Sequence, residues 1–233
     1  MLKTSTFYLQ NLHVKSNNIL SETELLIRHK SLKMTYKILF LLLLNFVSCK
    51  EDPNSSPKIE KNYAKVHEEA KAFCKREKFN EDYYFLIDLS NHSGKNRFFI
   101  YDFKTGKISN QNLVTHGSCD VLDDNETKWE KAKFNNANNS HCSAKGKYKI
   151  GKRDSSSWGI KVKYWLHGLE KSNANAVQRV VVLHSWDAVS DTEVYPKYSP
   201  LSWGCPAVSD DFMRILDAKL QKSDKPVLLW IIE

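Results

Sequence analysis

Two runs of β-forming residues with a turn-forming cluster between them constrain this chain more than any other feature. Tyr83-Tyr84-Phe85-Leu86-Ile87-Asp88-Leu89 and Arg97-Phe98-Phe99-Ile100-Tyr101-Asp102-Phe103 are dense in aromatic and branched side chains. Ser90-Asn91-His92-Ser93-Gly94-Lys95-Asn96 separates them and favours a reversal over continued extension. Thr105-Gly106 closes the second strand, and residues 107–114 begin a third. Further strands are expected over 146–150, 157–164 and 180–184, with an apolar terminal strand over 226–232. Residues 120–140 are polar and Asn-rich and read as a surface loop. Helical spacing occurs twice. In 59–79, Tyr63, Val66, Ala70, Phe73 and Cys74 recur at intervals of three and four, giving an amphipathic helix. In 210–222, Ser209 is a candidate N-cap, Asp210 and Asp211 suit the positive helix end, and Phe212, Ile215, Leu216 and Leu220 form the apolar stripe. The order helix, many strands, helix, strand implies a mainly β fold, a sandwich or barrel with an N-terminal amphipathic helix and a C-terminal helix plus strand.

The N-terminal part of the chain is of a different kind. Residues 38–47 form an apolar run after Lys33 and Lys37. The run is shorter than the roughly 20 apolar residues that span a bilayer, and it fits the hydrophobic region of a secretory signal. It ends in Phe46-Val47-Ser48-Cys49, which resembles a bacterial lipoprotein box, with Cys49 as the lipidated first residue of the mature protein. Met34 then reads as the start. The polar, proline-broken segment after Cys49 reads as a tether. The expected organisation is a signal region over 1–48, a tether over 49–57, an N-terminal helix over 58–80 and a catalytic domain over 81–233. Half of the formal charge of +8 lies in residues 1–48. What remains is mild, and no Lys/Arg block is dense enough for a nucleic-acid partner.

Val180-Val181-Val182-Leu183-His184 places a histidine at the end of an apolar strand. Seventeen residues separate it from Ser202-Trp203-Gly204-Cys205-Pro206. A cysteine with an ordinary pKa of about 8.5 is mostly a protonated, poor nucleophile at neutral pH, and an imidazole within reach can take its proton. Gly204 permits close approach of the backbone, and amides near Cys205 could face a developing oxyanion. The pair therefore supports acyl transfer through a thioester. The competing reading is a buried structural cysteine and a histidine that caps a carbonyl.

These elements resemble the L,D-transpeptidases, in which a histidine, a spacer of mid-teens length and a Ser/Thr-His-Gly-Cys element follow one another. Ser143-Ala144-Lys145-Gly146-Lys147-Tyr148-Lys149-Ile150 resembles an upstream strand of the family, and Leu113-Val114-Thr115-His116-Gly117 the segment leading into it. Cys205-Pro206-Ala207-Val208 matches the branch known as murein L,D-transpeptidase catalytic domain proteins. The resemblance spans about residues 83–233 and implies an L,D-transpeptidase-like fold. It implies Cys205 as nucleophile, His184 as base, and Ser185 as the residue whose backbone carbonyl orients the imidazole. The oxyanion and substrate would meet Gly204, Ser202, Trp203, His116, Gly117 and His141. The partners implied are peptidoglycan stem peptides and, through a lipid on Cys49, a membrane; no cofactor is implied. The location implied is the periplasmic side of a Gram-negative membrane. Hydrolysis in place of transfer (an L,D-carboxypeptidase) and a non-catalytic peptidoglycan-binding lipoprotein are the alternatives. Trp203 stands where the family usually has histidine, and Ala207 where it commonly has arginine.

Cys119 and Cys142 read as a disulfide across the long loop in an oxidising compartment. Free thiols, or a zinc set with His116 and His141, are the other readings, and no metal site is assigned. Cys74 is left as a buried thiol. Trp158, Trp165, Trp186 and Trp203 are candidates for a peptide groove or for core.

Overall fold

The strand over Tyr83–Asp88 is buried at every position after its first. A strand covered on one face would alternate, so both faces of this one are packed. The computed structural model describes residues 61–119 and 126–233. The apolar run 38–47, Cys49, the tether 49–57, the first residues of the expected helix and residues 120–125 of the long loop lie outside the described residues. In chain order the elements are α1 (Ala64–Arg76), β1 (Tyr83–Asp88), β2 (Phe98–Asp102), β3 (Lys107–Asn112), β4 (His116–Gly117), a 3-10 turn (Glu126–Lys128), β5 (Gly146–Ser155), β6 (Val162–Gly168), β7 (Val182–Ser185), β8 (Leu201–Ser202), β9 (Ala207–Val208), α2 (Asp210–Gln221) and β10 (Leu228–Ile232). Among the described residues the fold is mainly β, as expected, with one helix before the strands and a helix plus strand at the end.

Eight strands form one sheet in the order β3-β2-β1-β10-β5-β6-β7-β9, and β4 and β8 form a short parallel pair. β10 enters the middle of the sheet, parallel to β1 and antiparallel to β5. Phe85 and Ile87 of β1 and Leu229 and Ile231 of β10 point to the core that also holds Phe212, Met213 and Leu216 of α2. Tyr84, Leu86, Phe99 and Leu228 point the other way, onto Ala70 and Cys74 of α1, with Tyr63, Val66 and Phe73 packed beside them. The two helices thus cover opposite faces, which explains why β1 carries no polar alternation. The two ends of the sheet also approach each other. Thr115, three residues past β3, donates its backbone N–H to the Ala207 carbonyl of β9 at 2.9 Å, so the sheet curls towards a barrel.

Ser209 caps α2 as expected, its Oγ accepting from the Phe212 N–H at 3.3 Å. The buried stripe differs from the expectation: Met213 is fully enclosed, whereas Ile215 is 38% exposed. The helix is rotated so that the residues beside Phe212, not those three further on, meet the sheet. The strand expected over 157–164 begins only at Val162. Residues 156–161 form a tight turn closed by Ser156 N–H to Lys161 O and Lys161 N–H to Trp158 O, both 3.0 Å. Gly159 takes a positive φ of 49° there, and the Trp-Gly-Ile sequence that suggests β structure instead makes the reversal between β5 and β6.

Candidate functional site

Ser202-Trp203-Gly204-Cys205-Pro206 joins β8 to β9 as a turn held at several points. Gly204 has φ +99°, and a Cβ there would lie 2.5 Å from the Cys142 carbonyl oxygen, so only glycine fits. The Ser202 hydroxyl accepts the Gly204 N–H at 3.2 Å and donates to the Cys205 carbonyl at 2.7 Å. The Thr115 hydroxyl donates to the same carbonyl at 3.0 Å and accepts the Ala207 N–H at 2.9 Å. Two hydroxyls therefore fix the backbone of Cys205, and the local bonding of Ser202 is that of a side-chain-closed turn. The Ser202 hydroxyl thus engages the Gly204 amide, the one that precedes Cys205.

β7 and β9 run parallel with His184 opposite Ala207, so residue 184 sits beside the strand that Cys205 leads into. The His184 ring is buried, and Nδ1 lies 2.9 Å from the Ser185 carbonyl oxygen. A carbonyl can only accept, so Nδ1 carries the proton and Nε2 is left with its lone pair. Burial lowers the His184 pKa below the ordinary imidazole value, opposed by the Ser185 carbonyl and reinforced by Lys163. The Cys205 sulfur accepts from the Val182 N–H at 3.4 Å and donates to the Val180 carbonyl at 3.6 Å. Burial raises its pKa, while the Val182 N–H, Arg179 and Lys163 pull it down. The resting pair is therefore a neutral thiol and a neutral imidazole, and the thiol's hydrogen bonds run to the backbone before and within β7.

Both groups line one pocket of about 380 Å3, together with Trp158, Trp186, Leu201, Ser202, Trp203 and Ala207. The walls are largely aromatic. Trp203 is 73% exposed and stacks on the His141 ring at 4.7 Å and 8°. Trp158, 54% exposed, meets Trp186 edge to face at 5.6 Å. Trp165 is not among the lining residues; its indole N–H bonds Asp154 at 3.1 Å. Ser185 serves the pocket twice, since its hydroxyl also accepts the Ile160 N–H at 3.0 Å and so holds the turn that carries Trp158.

Of the other residues singled out in the sequence, Gly117 packs its backbone against residues 141–143, its N–H bonding the Ser143 hydroxyl at 3.0 Å. His116 is 1% exposed and is not among the residues that line the pocket, although its strand pairs with Leu201, which is. Its Nδ1 accepts from Arg97 at 2.8 Å and its Nε2–H donates to the Lys128 carbonyl at 2.8 Å. Burial and then the Arg97 charge bring its pKa down to about 4. Arg97 is itself enclosed and clamps the Val114 carbonyl through Nε and a second nitrogen at 2.9 and 2.6 Å. Sequence reasoning missed Thr115, Arg97 and Arg179 as builders of this region. A charged residue opening an otherwise apolar strand was the signal for Arg97. Thr115 and Arg179 become visible only when distant segments meet.

Cys119 and Cys142 are joined by a disulfide, which removes both from any ligand set. Among the described residues no group of three or more His, Cys, Asp or Glu side chains is placed to hold a metal ion.

The sequence profile described as the L,D-transpeptidase catalytic domain matches residues 57–229. No curated protein matches the chain. Solved structures that are similar include an L,D-transpeptidase of Enterococcus faecium, at 12% identity and TM-score 0.40, covering 65% of this chain and 50% of that one. An L,D-transpeptidase of Xylanimonas cellulosilytica gives 10% identity and TM-score 0.37 over 64% of this chain and 59% of that one. The helical cell shape determining protein of Campylobacter jejuni gives 14% identity and TM-score 0.37 over 69% and 54%. The chain thus spans between half and three fifths of the length of these structures.

Proposed function

Since this chain belongs to the family of L,D-transpeptidase catalytic domains, we propose that it transfers peptidoglycan stem peptides through a thioester on Cys205, with His184 as the base. The observation that carries the reading is the tautomer of His184. The Ser185 carbonyl fixes the proton on Nδ1 and leaves Nε2 as a base in the pocket that the thiol also lines.

In this reading the S–H turns from the Val180 carbonyl to Nε2 and gives up its proton as sulfur bonds the carbonyl carbon at stem position three. The Cys205 N–H meets the oxyanion. Collapse breaks the C–N bond to the departing D-alanine, whose nitrogen takes the proton back from the imidazole. The amine of a second stem then attacks the thioester, passes its proton to His184, and releases the thiol. Water in the amine's place would give a shortened stem, the carboxypeptidase outcome. The aromatic walls present apolar surface to the extended peptide.

We further propose that a lipid on Cys49 tethers the domain to a membrane facing the cell wall. The basic flank, the apolar run 38–47 and the small residue before Cys49 support this. Metabolic labelling with a fatty-acid analogue should mark the wild-type chain and not Cys49→Ser.

Muropeptide analysis of cells with the wild-type protein or Cys205→Ala tests the function. Transfer predicts 3–3 crosslinks that disappear in the variant. Tripeptide stems that disappear instead identify the carboxypeptidase. Unchanged muropeptides in both would sink the enzymatic reading and favour a wall-binding lipoprotein.

A further inference from the structure

Arg179 lies in the turn between β6 and β7 and points beneath the nucleophile turn. One terminal nitrogen donates to the Cys142 carbonyl at 2.5 Å, and the other to the Asn135 carbonyl at 3.1 Å. The nitrogen on Cys142 also lies 3.1 Å from where a Cβ on Gly204 would stand, so the guanidinium is against the Gly204 backbone. The same Cys142 carbonyl is what forbids a side chain at Gly204. Guanidinium, carbonyl and glycine therefore form a three-way contact one residue from the sulfur. The next residue, Val180, sits at φ +57°. A branched residue adopts that conformation only under strain, and it brings the Val180 carbonyl to the thiol. Anchoring Arg179 at two carbonyls holds this strained peptide in place.

We propose that Arg179 is a positioning residue of the site: it locks the Gly204–Cys205 turn to the disulfide-bearing loop and supplies the fixed positive charge that steadies the sulfur as it becomes anionic. The proposal rests on the reading of Cys205 as the nucleophile. The charged and titratable groups around the sulfur are Arg179, Lys163 from β6, the Tyr148 phenol from β5 and the His184 ring from β7. Among the described residues no carboxylate lines the pocket. Of the two cations, Arg179 is the one held in place on both sides by backbone carbonyls. A guanidinium with its donors spent on carbonyls keeps its charge and its place, and its influence on the sulfur acts through a half-buried medium where charge is weakly screened.

The test is the pH dependence of iodoacetamide alkylation at Cys205, read by peptide-resolved mass spectrometry on the full chain, for wild type, Arg179→Gln and Arg179→Lys. Loss of the charge should raise the midpoint by about one unit and slow alkylation at neutral pH about tenfold. Lysine should hold the midpoint within about half a unit of wild type, because the charge is kept. An Arg179→Gln profile that overlays wild type overturns the proposal. So does an equal rise in both variants, which would mean packing and not charge. Should Arg179→Gln fail to fold by circular dichroism, Arg179→Lys decides alone: a midpoint raised by a full unit overturns the proposal. Alkylation reads the thiol whether or not the protein acts on stem peptides. Unchanged muropeptides with an intact Arg179 effect would therefore remove the function and leave this inference, and the reverse result would do the opposite.

Discussion

At the scale of the residue, the pair at the site is governed by burial. Enclosure lowers the His184 pKa and raises that of Cys205, so both are uncharged at rest. The imidazole must be unprotonated to accept the thiol proton. The acid limb of kcat/KM should therefore fall below 6.5, the ordinary imidazole value. A pH–rate profile with a muropeptide substrate checks this, and an acid inflection at or above 6.5 contradicts it. Much of this site was legible in the sequence. A histidine closing an apolar strand and a glycine-preceded cysteine are local patterns, and Ser185 follows His184 directly. Thr115 and Arg179 were not legible as builders of the site: Arg179 lies in no motif, and Thr115, although it sits in the segment 113–117, carries no local sign of its partner. Thr115 reaches Cys205 across 90 positions, and the partners of Arg179 lie 37 and 44 residues away. His116 shows the converse. It sits in a recognisable segment, yet its surroundings are set by Arg97 and the Lys128 carbonyl, which the segment itself does not contain.

At the scale of the element, α2 begins where the site ends. Ser209 follows β9 directly, caps the helix, and bonds Asn112 from the opposite end of the sheet at 3.2 Å. Ser209→Ala should cost about 1–2 kcal/mol, read as a lower urea midpoint at unchanged slope. The cap was readable because Ser-Asp-Asp before an apolar stripe is a local signal. The rotation that buries Met213 in place of Ile215 was not, since these two residues, on either side of Arg214, flank the Phe212–Leu216 stripe equally well. The disulfide closes a loop with a sequence separation of 23 and delivers the Cys142 carbonyl to Gly204 and Arg179. Replacing both Cys119 and Cys142 by alanine should remove about 3 kcal/mol from the unfolding free energy. Equal stability of the double variant in denaturant titration would show that the loop is held by its packing alone.

At the scale of the whole molecule, one buried network ties the two ends of the sheet together. Arg97, next to β2, holds the Val114 carbonyl and His116, and the neighbouring Thr115 reaches β9. Burial brings the pKa of Arg97 down to about 9 and that of His116 to about 4. A histidine whose folded pKa is depressed contributes stability that is complete above its unfolded value and is lost as pH falls through the folded one. Between pH 6.5 and 4 the His116 contribution should therefore decline by about 3 kcal/mol. Its share is the difference between wild type and His116→Gln, followed by denaturant unfolding across that range; parallel curves would contradict it. The mainly β class, the flanking helices and most strands were legible from composition and period. The strand order was not, because nothing local tells β10 to enter between β1 and β5. That placement also ties assembly to synthesis. The segment translated after all the other strands is the wedge that joins the two halves of the sheet. The eight-stranded sheet is therefore continuous only once residues 228–232 have been made.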